Sequence, residues 1–468
     1  MSPILRPSPR FPGVLALTLI TLGHFCGEAE GAEQVSLAEP PGDQRILSVE
    51  ISLASDGKVA TTTSGDEKDE LPMRAEADFQ FHERRLPPGG RDAEAFRALR
   101  AFSQASLKTV VSEHTTDITL PSRRNVIVSN GTREGAISYS PEGNLTREES
   151  DLLEIPGDPL TLLGMLPPQP VELAEEWTPP DWALQMLTGI EAVESSQCKC
   201  RFDQSTPHAA KITFTGKIEG LKLGAKTTVE VAGAIIFDRE ENLLSQAKTI
   251  FRVKASVGVV NPGLSMSVTS VVRRRPTTES TPLDKYAMED IPLEAPEEAL
   301  TLAFDAEPWG LHLDHSRDWH LFHAIFDGQA PVAILRLMNL GSLVAQCNLS
   351  PIADAAPGGT IPLDQFESDI QQSLGKRFGK FLDREQIPAT DGRQIYRVMV
   401  EGQVEVGGNK GSATIPMNWI YYLAAGPNGK QVSFVFSVEP SLVEQLGTQD
   451  RQIVESLKFR STNTASRR

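Results

Sequence analysis

The densest group of side chains that could do chemistry in this chain is a short run of histidines interleaved with aspartates. Its members are His312, His315, His320 and His323, with Asp305, Asp314 and Asp318. Imidazole and carboxylate groups are common ligands for zinc, copper and nickel. One hypothesis is therefore a metal binder or metalloenzyme that uses the four histidines.

The expected local structure argues against a site with four ligands. Pro308 and Gly310 interrupt any helix before the first pair of histidines. The second pair falls on a predicted strand, where His320 and His323 point to opposite faces because side chains alternate. We therefore favour surface or packing histidines and predict no cofactor. The stretch HSRDWH (315–320) also lies at a predicted domain junction, where histidines can make a contact pH-sensitive.

Thiols are the second candidate group. Once a signal peptide is removed, three cysteines remain, Cys198, Cys200 and Cys347, so at least one thiol is unpaired. A lone Cys-x-Cys is a weak metal motif, because zinc sites space their ligands more widely and use four of them. The pattern favours buried, unpaired thiols. A disulfide between Cys347 and one member of the pair is the alternative.

Other catalytic motifs are missing from the sequence. It contains no Gly-x-Ser-x-Gly, no Walker A, no His-Glu-x-x-His and no glycine-rich dinucleotide fingerprint. Lys plus Arg number 45 against 62 Asp plus Glu, which gives a net charge of −17. This charge argues against nucleic acid as a partner. The sequence thus favours a non-enzymatic role.

The N-terminus has the pattern of a secretory signal peptide over residues 1–32. Arg6 and Arg10 precede an apolar stretch at 14–25, and small residues end at Ala32. The apolar stretch is shorter than the roughly 20 residues that span a bilayer. We expect a soluble periplasmic or extracellular protein with no membrane span after cleavage. Lipidation at Cys26 is the minority alternative.

A β-rich domain is predicted for residues 45–275. Leu47, Val49, Ile51 and Leu53 alternate with polar residues before an expected turn at Asp56-Gly57. Residues 91–108 are compatible with a helix or a strand. Thr146 and Glu149 form a capping box that opens a helix. Four strands at 209–220, 225–238, 242–254 and 264–272 then predict an antiparallel sheet, either a sandwich or a curved half-barrel.

Three segments are predicted to lie outside the folded domains. Residues 33–44 are expected to form a flexible lead-in, and 461–468 a disordered tail. Residues 276–305 are rich in proline and acid, which is typical of an extended linker. Arg273–Arg275 end the last strand and are expected to face this linker.

The C-terminal domain, 306–460, has the predicted order βββαβββα. A hairpin at Asp327-Gly328 is followed by a third strand, and an amphipathic helix is expected over about 362–382. Three strands come next, at 394–405, 413–424 and 431–438. A final helical region begins at a Ser441–Glu444 cap. An antiparallel sheet covered by two helices satisfies this order.

The closing stretch DRQIVESLKF (450–459) and this element order resemble the PsbP/Mog1-like αβ-sandwich domains. The stretches LGSLVAQCNLS, WIYYL and QVSFVFSVEPSL resemble the C-terminal module of uncharacterised exported bacterial two-domain proteins. LPPQPVELAEEW is similar to a Pro-Val-x-x-Gly-x-x-Trp segment of their β-rich N-terminal region, with Ala174 where glycine is usual. The resemblance implies an α+β fold and export.

The same resemblance bears on function. PsbP-like relatives are assembly or accessory factors, and Mog1 binds a small GTPase; neither supplies a catalytic motif for this chain. The favoured hypothesis is therefore a binding or assembly module of the cell envelope with a protein partner. The alternatives are a carrier of an apolar ligand, held on a curved sheet against Phe214, Ile235 and Phe237, and the metal site at 312–323.

Overall fold

The computed structural model describes residues 33–62, 68–87, 89–279, 281–285, 291–292, 294–389, 391–408 and 411–460. The predicted signal peptide (1–32), which includes Cys26, and the predicted tail (461–468) lie outside the described residues. The fold is α+β and dominated by antiparallel strands, as the sequence predicted.

Twelve of the described strands form the first sheet, and all of their pairings are antiparallel. They are β1 (Ile46–Thr62), β2 (Lys68–Arg85), β3 (Arg97–Val111), β4 (His114–Thr119), β5 (Val126–Thr132), β6 (Gly135–Tyr139), β8 (Glu176–Trp177), β9 (Ala192–Ser205), β10 (Ala209–Lys222), β11 (Ala225–Asp238), β12 (Leu243–Ala255) and β13 (Gly263–Pro276). Their order is β6-β5-β3-β2-β1-β13-β12-β11-β10-β9-β8, with β4 paired to β3.

Three short helices pack on one face of this sheet: α1 (Arg147–Leu152), α2 (Pro159–Leu162) and α3 (Asp181–Thr188). The eight-residue helix α3 contacts β6 near one end of the strand order and β9 and β10 near the other. Neighbouring strands are about 4.8 Å apart, so a flat sheet would hold these strands too far apart for one short helix. The sheet therefore curls around its helices. Of the two predicted alternatives, a sandwich and a curved half-barrel, the structure has the half-barrel.

The interior of the curl is filled by side chains. Phe214, Ile235 and Phe237 are 2%, 0% and 0% exposed. They belong to one buried cluster together with apolar residues of the three helices, including Leu152 and Leu184. The apolar hollow that the carrier hypothesis placed at these three residues is thus occupied by the protein itself.

One expectation in this region is wrong, and one open alternative is decided. Asp56-Gly57 is not a turn but lies inside β1, and a Cβ at Gly57 would be 2.3 Å from the Ser265 carbonyl oxygen of β13. Glycine is needed there because another backbone approaches closely. For residues 91–108, where a helix and a strand were both compatible with the sequence, the structure forms the strand: β3 spans 97–111. Arg97 to Phe102 are all buried, because side chains pack on both faces of β3, and this two-sided burial removes the period-two signal.

The segments expected to be flexible are packed against the first sheet where the structure describes them. In 33–44, Val35 pairs with Val171 and Leu37 is 1% exposed. In 276–305, Leu283 is 0% exposed and joins a cluster with residues of β3 and β5. A few apolar residues anchor each of these polar segments to the sheet. The average composition of a segment does not reveal them.

Ala174 has a φ of +68° and donates its N–H to the Phe202 carbonyl oxygen at 2.8 Å. A non-glycine residue is disfavoured in this left-handed region by roughly 1 kcal/mol. The position is the one at which the resembling exported proteins usually have glycine. Its backbone conformation supplies a physical reason for that preference.

A second, small sheet joins the two halves of the chain. It consists of β7 (Leu145–Thr146), β14 (Leu302–Ala306), β15 (Leu311–His315) and β23 (Lys458–Phe459), in the order β23-β15-β14-β7. β7 and β14 are parallel, whereas the other pairs are antiparallel. Helix α4 (Glu297–Leu300) precedes β14.

The third sheet contains the remaining described strands in the order β16-β17-β18-β22-β21-β20-β19, all antiparallel. They are β16 (Trp319–Ile325), β17 (Val332–Asn339), β18 (Ser342–Ile352), β19 (Phe378–Ile387), β20 (Gln394–Gly408), β21 (Gly411–Ala425) and β22 (Gln431–Val438). Helix α5 (Leu363–Leu374) packs on one face, and α6 (Val443–Leu446) and α7 (Gln449–Ser456) on the other, which gives the predicted αβ-sandwich.

Two details of this half correct the sequence-based prediction. The helix expected over 362–382 ends at Leu374, since Gly375 has a φ of +51°. Phe378 continues its four-residue spacing and Phe381 follows three residues later, but both lie on strand β19, against the same cluster. The expected Ser441–Glu444 cap is also absent, because the N-cap of α6 is Leu442. The capping box of Thr146 and Glu149 at α1 is confirmed.

Candidate interaction surface

The stretch 315–320 lies where the two halves of the chain contact each other, a contact region that we call the seam. Arg317 donates from its guanidinium to the Ser138 carbonyl at 2.7 Å and to the Ser150 hydroxyl at 2.9 Å. Arg147, from the first half, donates to the Arg317 carbonyl and, at 2.9 Å, to the Trp319 carbonyl. Two arginines therefore cross the seam in opposite directions.

The four histidines occupy separate environments. His312 lies on β15 with its Nδ1 2.8 Å from an Asp305 carboxylate oxygen, and Arg460 also contacts this pair. His323 is exposed on β16. Within the described ranges, no group of three or more His, Cys, Asp or Glu side chains is arranged to hold a metal ion. The structure does not bring the four predicted ligands together.

His315 and His320 are the histidines closest to the seam. Burial lowers the pKa of His315 to about 4, and the Arg147 charge acts in the same direction. Its Nδ1 donates to the Ser316 carbonyl at 2.7 Å. Burial, together with Arg147 and His315, lowers the pKa of His320 to about 3. Both side chains are therefore neutral at pH 7 and become charged only in acid.

The three described cysteines are unpaired. Cys200 is buried in the core of the first sheet, and Cys347 in that of the third. Cys198 and Cys200 lie two residues apart on β9, on one face of the strand, and their thiols are hydrogen-bonded. The hydrogen bond lowers the pKa of Cys198, whereas the same bond and burial raise that of Cys200. The predicted alternative of a disulfide to Cys347 is not formed.

A chain of buried ion pairs crosses the first sheet and was not foreseen from the sequence. Arg100 binds Asp158 through two hydrogen bonds of 2.6 and 2.7 Å, and binds Glu83 at 3.0 Å. Glu83 also accepts from Arg274 at 3.2 Å, and Arg274 in turn binds Glu39. Burial opposes the charge on Glu83, but Arg100 and Arg274 outweigh it and lower its pKa.

This network has a structural role. It ties residues from β2, β3 and β13 to the lead-in through Glu39 and to α2 through Asp158, which also caps that helix by accepting from Leu160 N–H at 2.8 Å. Arg274 is thus buried in the sheet, which corrects the expectation that Arg273–Arg275 all face the linker.

The exposed edge of the third sheet is the surface best suited to a partner. β16 is the first strand in the sheet order, and its side away from β17 has no strand partner among the described residues. Three large apolar side chains on this strand are exposed: Leu321 (41%), Phe322 (44%) and Ile325 (41%). We call these three side chains, with the open side of the strand, the β16 edge.

A β-bulge presents one of these side chains. Leu321 is paired with Leu335 and His323 with Ile334, so Phe322 is an extra residue on β16. A bulge of this kind redirects a side chain. The Arg336 guanidinium lies 3.5 Å from the centre of the Phe322 ring and donates to the Val259 carbonyl of the first half. The seam and the β16 edge are therefore connected through Arg336.

The sequence did not reveal the β16 edge. The hairpin predicted at Asp327-Gly328 requires a strand before it, and β16 is that strand. The available signal was an apolar strand, WHLFHAI, with no Lys, Asp, Glu or Pro to protect an edge. Using this signal requires the position of the strand within the sheet, which depends on long-range pairing.

The described residues include no helix of the length and apolarity needed to cross a bilayer. No protein-family model and no curated protein matches the chain.

Solved structures provide distant similarities. The chain is similar to cyanobacterial PsbP (CyanoP) from Synechocystis sp. PCC 6803, with 14% identity over 34% of this chain and 93% of that one and a TM-score of 0.26. It is similar to lipovitellin, described for its lipid–protein interactions, with 9% identity over 52% of this chain and 26% of that one (TM-score 0.29). MucB in complex with MucA(peri) gives 10% identity over 90% and 95% (TM-score 0.15). These similarities assign the chain to no family.

Proposed function

We propose that this protein is a non-enzymatic interaction protein of the cell envelope that holds an extended segment of a partner protein along the β16 edge. The observation that carries the proposal is the exposure of Leu321, Phe322 and Ile325 on an unpaired edge strand. Export to the envelope is supported by the signal pattern of residues 1–32.

The chemistry of the edge determines the kind of partner. An open strand offers backbone N–H and C=O groups that pair with another extended chain, and neighbouring apolar side chains select its sequence. Nine large apolar side chains are exposed in the described part of the chain, and three of them lie on the single strand β16. This concentration separates the β16 edge from the scattered exposed apolar residues of an ordinary surface.

The absence of edge protection supports the same proposal. Natural edge strands are usually shielded by lysine, proline or inward-pointing charge, because open edges otherwise aggregate. β16 contains two histidines and no Lys, Arg, Asp, Glu or Pro. An edge that stays unprotected in a chain of net charge −17 is best explained by a partner that covers it.

A photo-crosslinking experiment tests the proposal. The full chain is expressed in its own cells with p-benzoylphenylalanine in place of His323, which is exposed on β16, and is irradiated. The matched control has the same residue in place of Leu173, an apolar residue that is 56% exposed elsewhere. We expect a discrete heavier adduct only at position 323, and peptide mapping should place the crosslink in an extended, apolar segment of one partner.

A pair of substitutions then separates docking from folding. Ile325→Lys should abolish the adduct, whereas Leu173→Lys should leave it unchanged, with both melting temperatures close to the parent value. The proposal fails if position 323 yields no adduct beyond those at 173. It also fails if the adduct contains only two copies of this chain, which would identify self-association at the edge.

A further inference from the structure

A cavity of about 360 Å³ lies at one margin of the first sheet, well apart in sequence from the β16 edge. Three pieces of chain line it: the lead-in from Ser36 to Gly42, the β2–β3 connection beginning at Arg85, and the α2–α3 region with Leu163, Leu166 and Trp182. This volume is at the lower end of the range for small-molecule sites, roughly 300–1,000 Å³.

Its wall is mainly apolar. Phe96 and Trp182 meet edge to face, with ring centroids 5.8 Å apart. Leu163 and Leu166 extend this wall, and several prolines complete it. Such a lining suits an aliphatic chain, whose burial is favoured in proportion to the apolar area removed from water.

One cation in the lining has a buried hydrogen-bond donor without a partner. The Nη1 atom of Arg85 is buried and has no hydrogen-bond partner among the described residues, and no described carboxylate forms a salt bridge with Arg85. The guanidinium carbon lies 5.6 Å from the centre of the Phe96 ring. A buried donor without an acceptor is costly, so this atom is suited to an acceptor that the protein does not supply.

The neighbouring acids are already engaged by other arginines. Glu39 is bound by Arg274, and Glu83 is bound by both Arg100 and Arg274. Asp158 is bound by Arg100. Three carboxylates and two arginines leave this network with one negative charge, which Arg85 offsets through space without forming a salt bridge. The charged residues of the cavity lining are Glu39, Arg85 and Arg91, so the lining itself keeps a net positive charge.

We propose that this cavity binds a single-chain amphiphilic anion, whose carboxylate or phosphate accepts from Arg85 while its aliphatic chain lies against Phe96, Trp182 and Leu163. Guanidinium pairs strongly with both kinds of headgroup, because its donors match their oxygens. The proposal is independent of the partner at the β16 edge, since the two sites share no residue.

Calorimetric titration of the mature chain, residues 33–468, tests this site. The probes are dodecanoate and dodecyl phosphate, which distinguish the two headgroups, and dodecanol, which has the same chain without a charge. Butyrate and inorganic phosphate supply a headgroup without a long chain. We expect at least one of the two long-chain anions to bind with a stoichiometry of one, and dodecanol and the short anions to bind at least tenfold more weakly.

Substitutions locate the headgroup. Arg85→Met should weaken the long-chain anion by about 10- to 100-fold and leave dodecanol unchanged, because only a charge-assisted hydrogen bond is lost. Arg85→Lys should restore part of the affinity. Arg252→Met, at an exposed arginine of β12 in the same sheet, is the matched control and should have no effect.

A cavity-filling variant keeps the test decisive if Arg85→Met does not fold. Pro168→Trp, at an exposed lining residue that is not adjacent in sequence to any member of the ion-pair network, should abolish binding of every long-chain probe. Equal affinity for dodecanoate and dodecanol in the parent chain, or unchanged affinity in folded Arg85→Met, overturns the role of Arg85. Failure of both long-chain anions to bind the parent chain overturns the site.

Discussion

The first and third sheets differ in how far their edge strands are covered by other parts of the chain. The first sheet curls until α3 contacts strands near both of its ends, and buried ion pairs lock the covering segments in place. The third sheet stays open between its helix layers and leaves β16 exposed at one side. The two halves therefore differ in structure: one encloses its helices, and the other presents an accessible edge strand.

Buried polar groups differ in the same way. The first sheet holds two fully buried arginines, Arg100 and Arg274, in a network that spans several segments. The third sheet has a smaller group, in which the Tyr422 hydroxyl donates to Asp450 at 2.8 Å and accepts from Arg397 at 3.0 Å. We therefore expect the first sheet to be more sensitive to the loss of one polar side chain.

The largest predicted effect tests the ion-pair network. Arg100→Met removes the cation between Glu83 and Asp158 and leaves buried carboxylate charge without its main partner. The free energy of unfolding should fall by about 3–5 kcal/mol, measured by urea denaturation at pH 7. Exposed Arg252→Met is the control and should stay within about 0.5 kcal/mol of the parent.

The matched change in the third sheet should be smaller. Tyr422→Phe removes one hydroxyl and its two hydrogen bonds and should cost about 1–2 kcal/mol in the same denaturation experiment. If Tyr422→Phe costs as much as Arg100→Met, the proposed difference between the two sheets is wrong.

The two buried histidines closest to the seam predict that the stability of the fold depends on pH. Burial holds the pKa of His315 at about 4, below its unfolded value near 6.5, so the unfolded state binds more protons between these values. Stability should therefore fall as the pH falls through this window, by about 2 kcal/mol at pH 5 from His315 alone. His320 adds to the effect in the same direction, because its pKa is also lowered.

Urea denaturation of the parent and of His315→Gln at pH 7 and pH 5 measures the contribution of His315 to this loss of stability. The variant should lose less stability on acidification than the parent, whatever its stability at pH 7. An identical loss in both proteins would show that His315 does not titrate across the seam.

The smallest effect concerns Ala174. Ala174→Gly removes the strain of a positive φ but increases the flexibility of the unfolded chain. The net gain should be about 0.5 kcal/mol, seen as a small rise in the urea midpoint with an unchanged slope. A loss of stability would mean that the Ala174 methyl group makes packing contacts worth more than the strain.

Local sequence signals predicted those elements that depend on neighbouring residues. The four strands from 209 to 272, the strands β20 to β22 and the capping box at Thr146 follow from alternation, turn residues and a local hydrogen bond. The sequence left alternatives open where distant contacts decide. β3 was compatible with a helix because burial on both faces hides its alternation, and the histidines remained candidate ligands because their separation into different environments is three-dimensional.

The sequence by itself determined that this is a β-rich α+β protein with two successive antiparallel regions and no local catalytic motif, because side-chain period and turn chemistry are encoded within short windows. Tertiary structure alone decided that the first sheet curls over a filled core, that the Nη1 donor of Arg85 has no partner among the described residues and that β16 is an edge. Each of these features depends on which distant strands and charges become neighbours. Contacts between residues that are far apart in the sequence produce no periodic pattern of side chains from which they could be predicted.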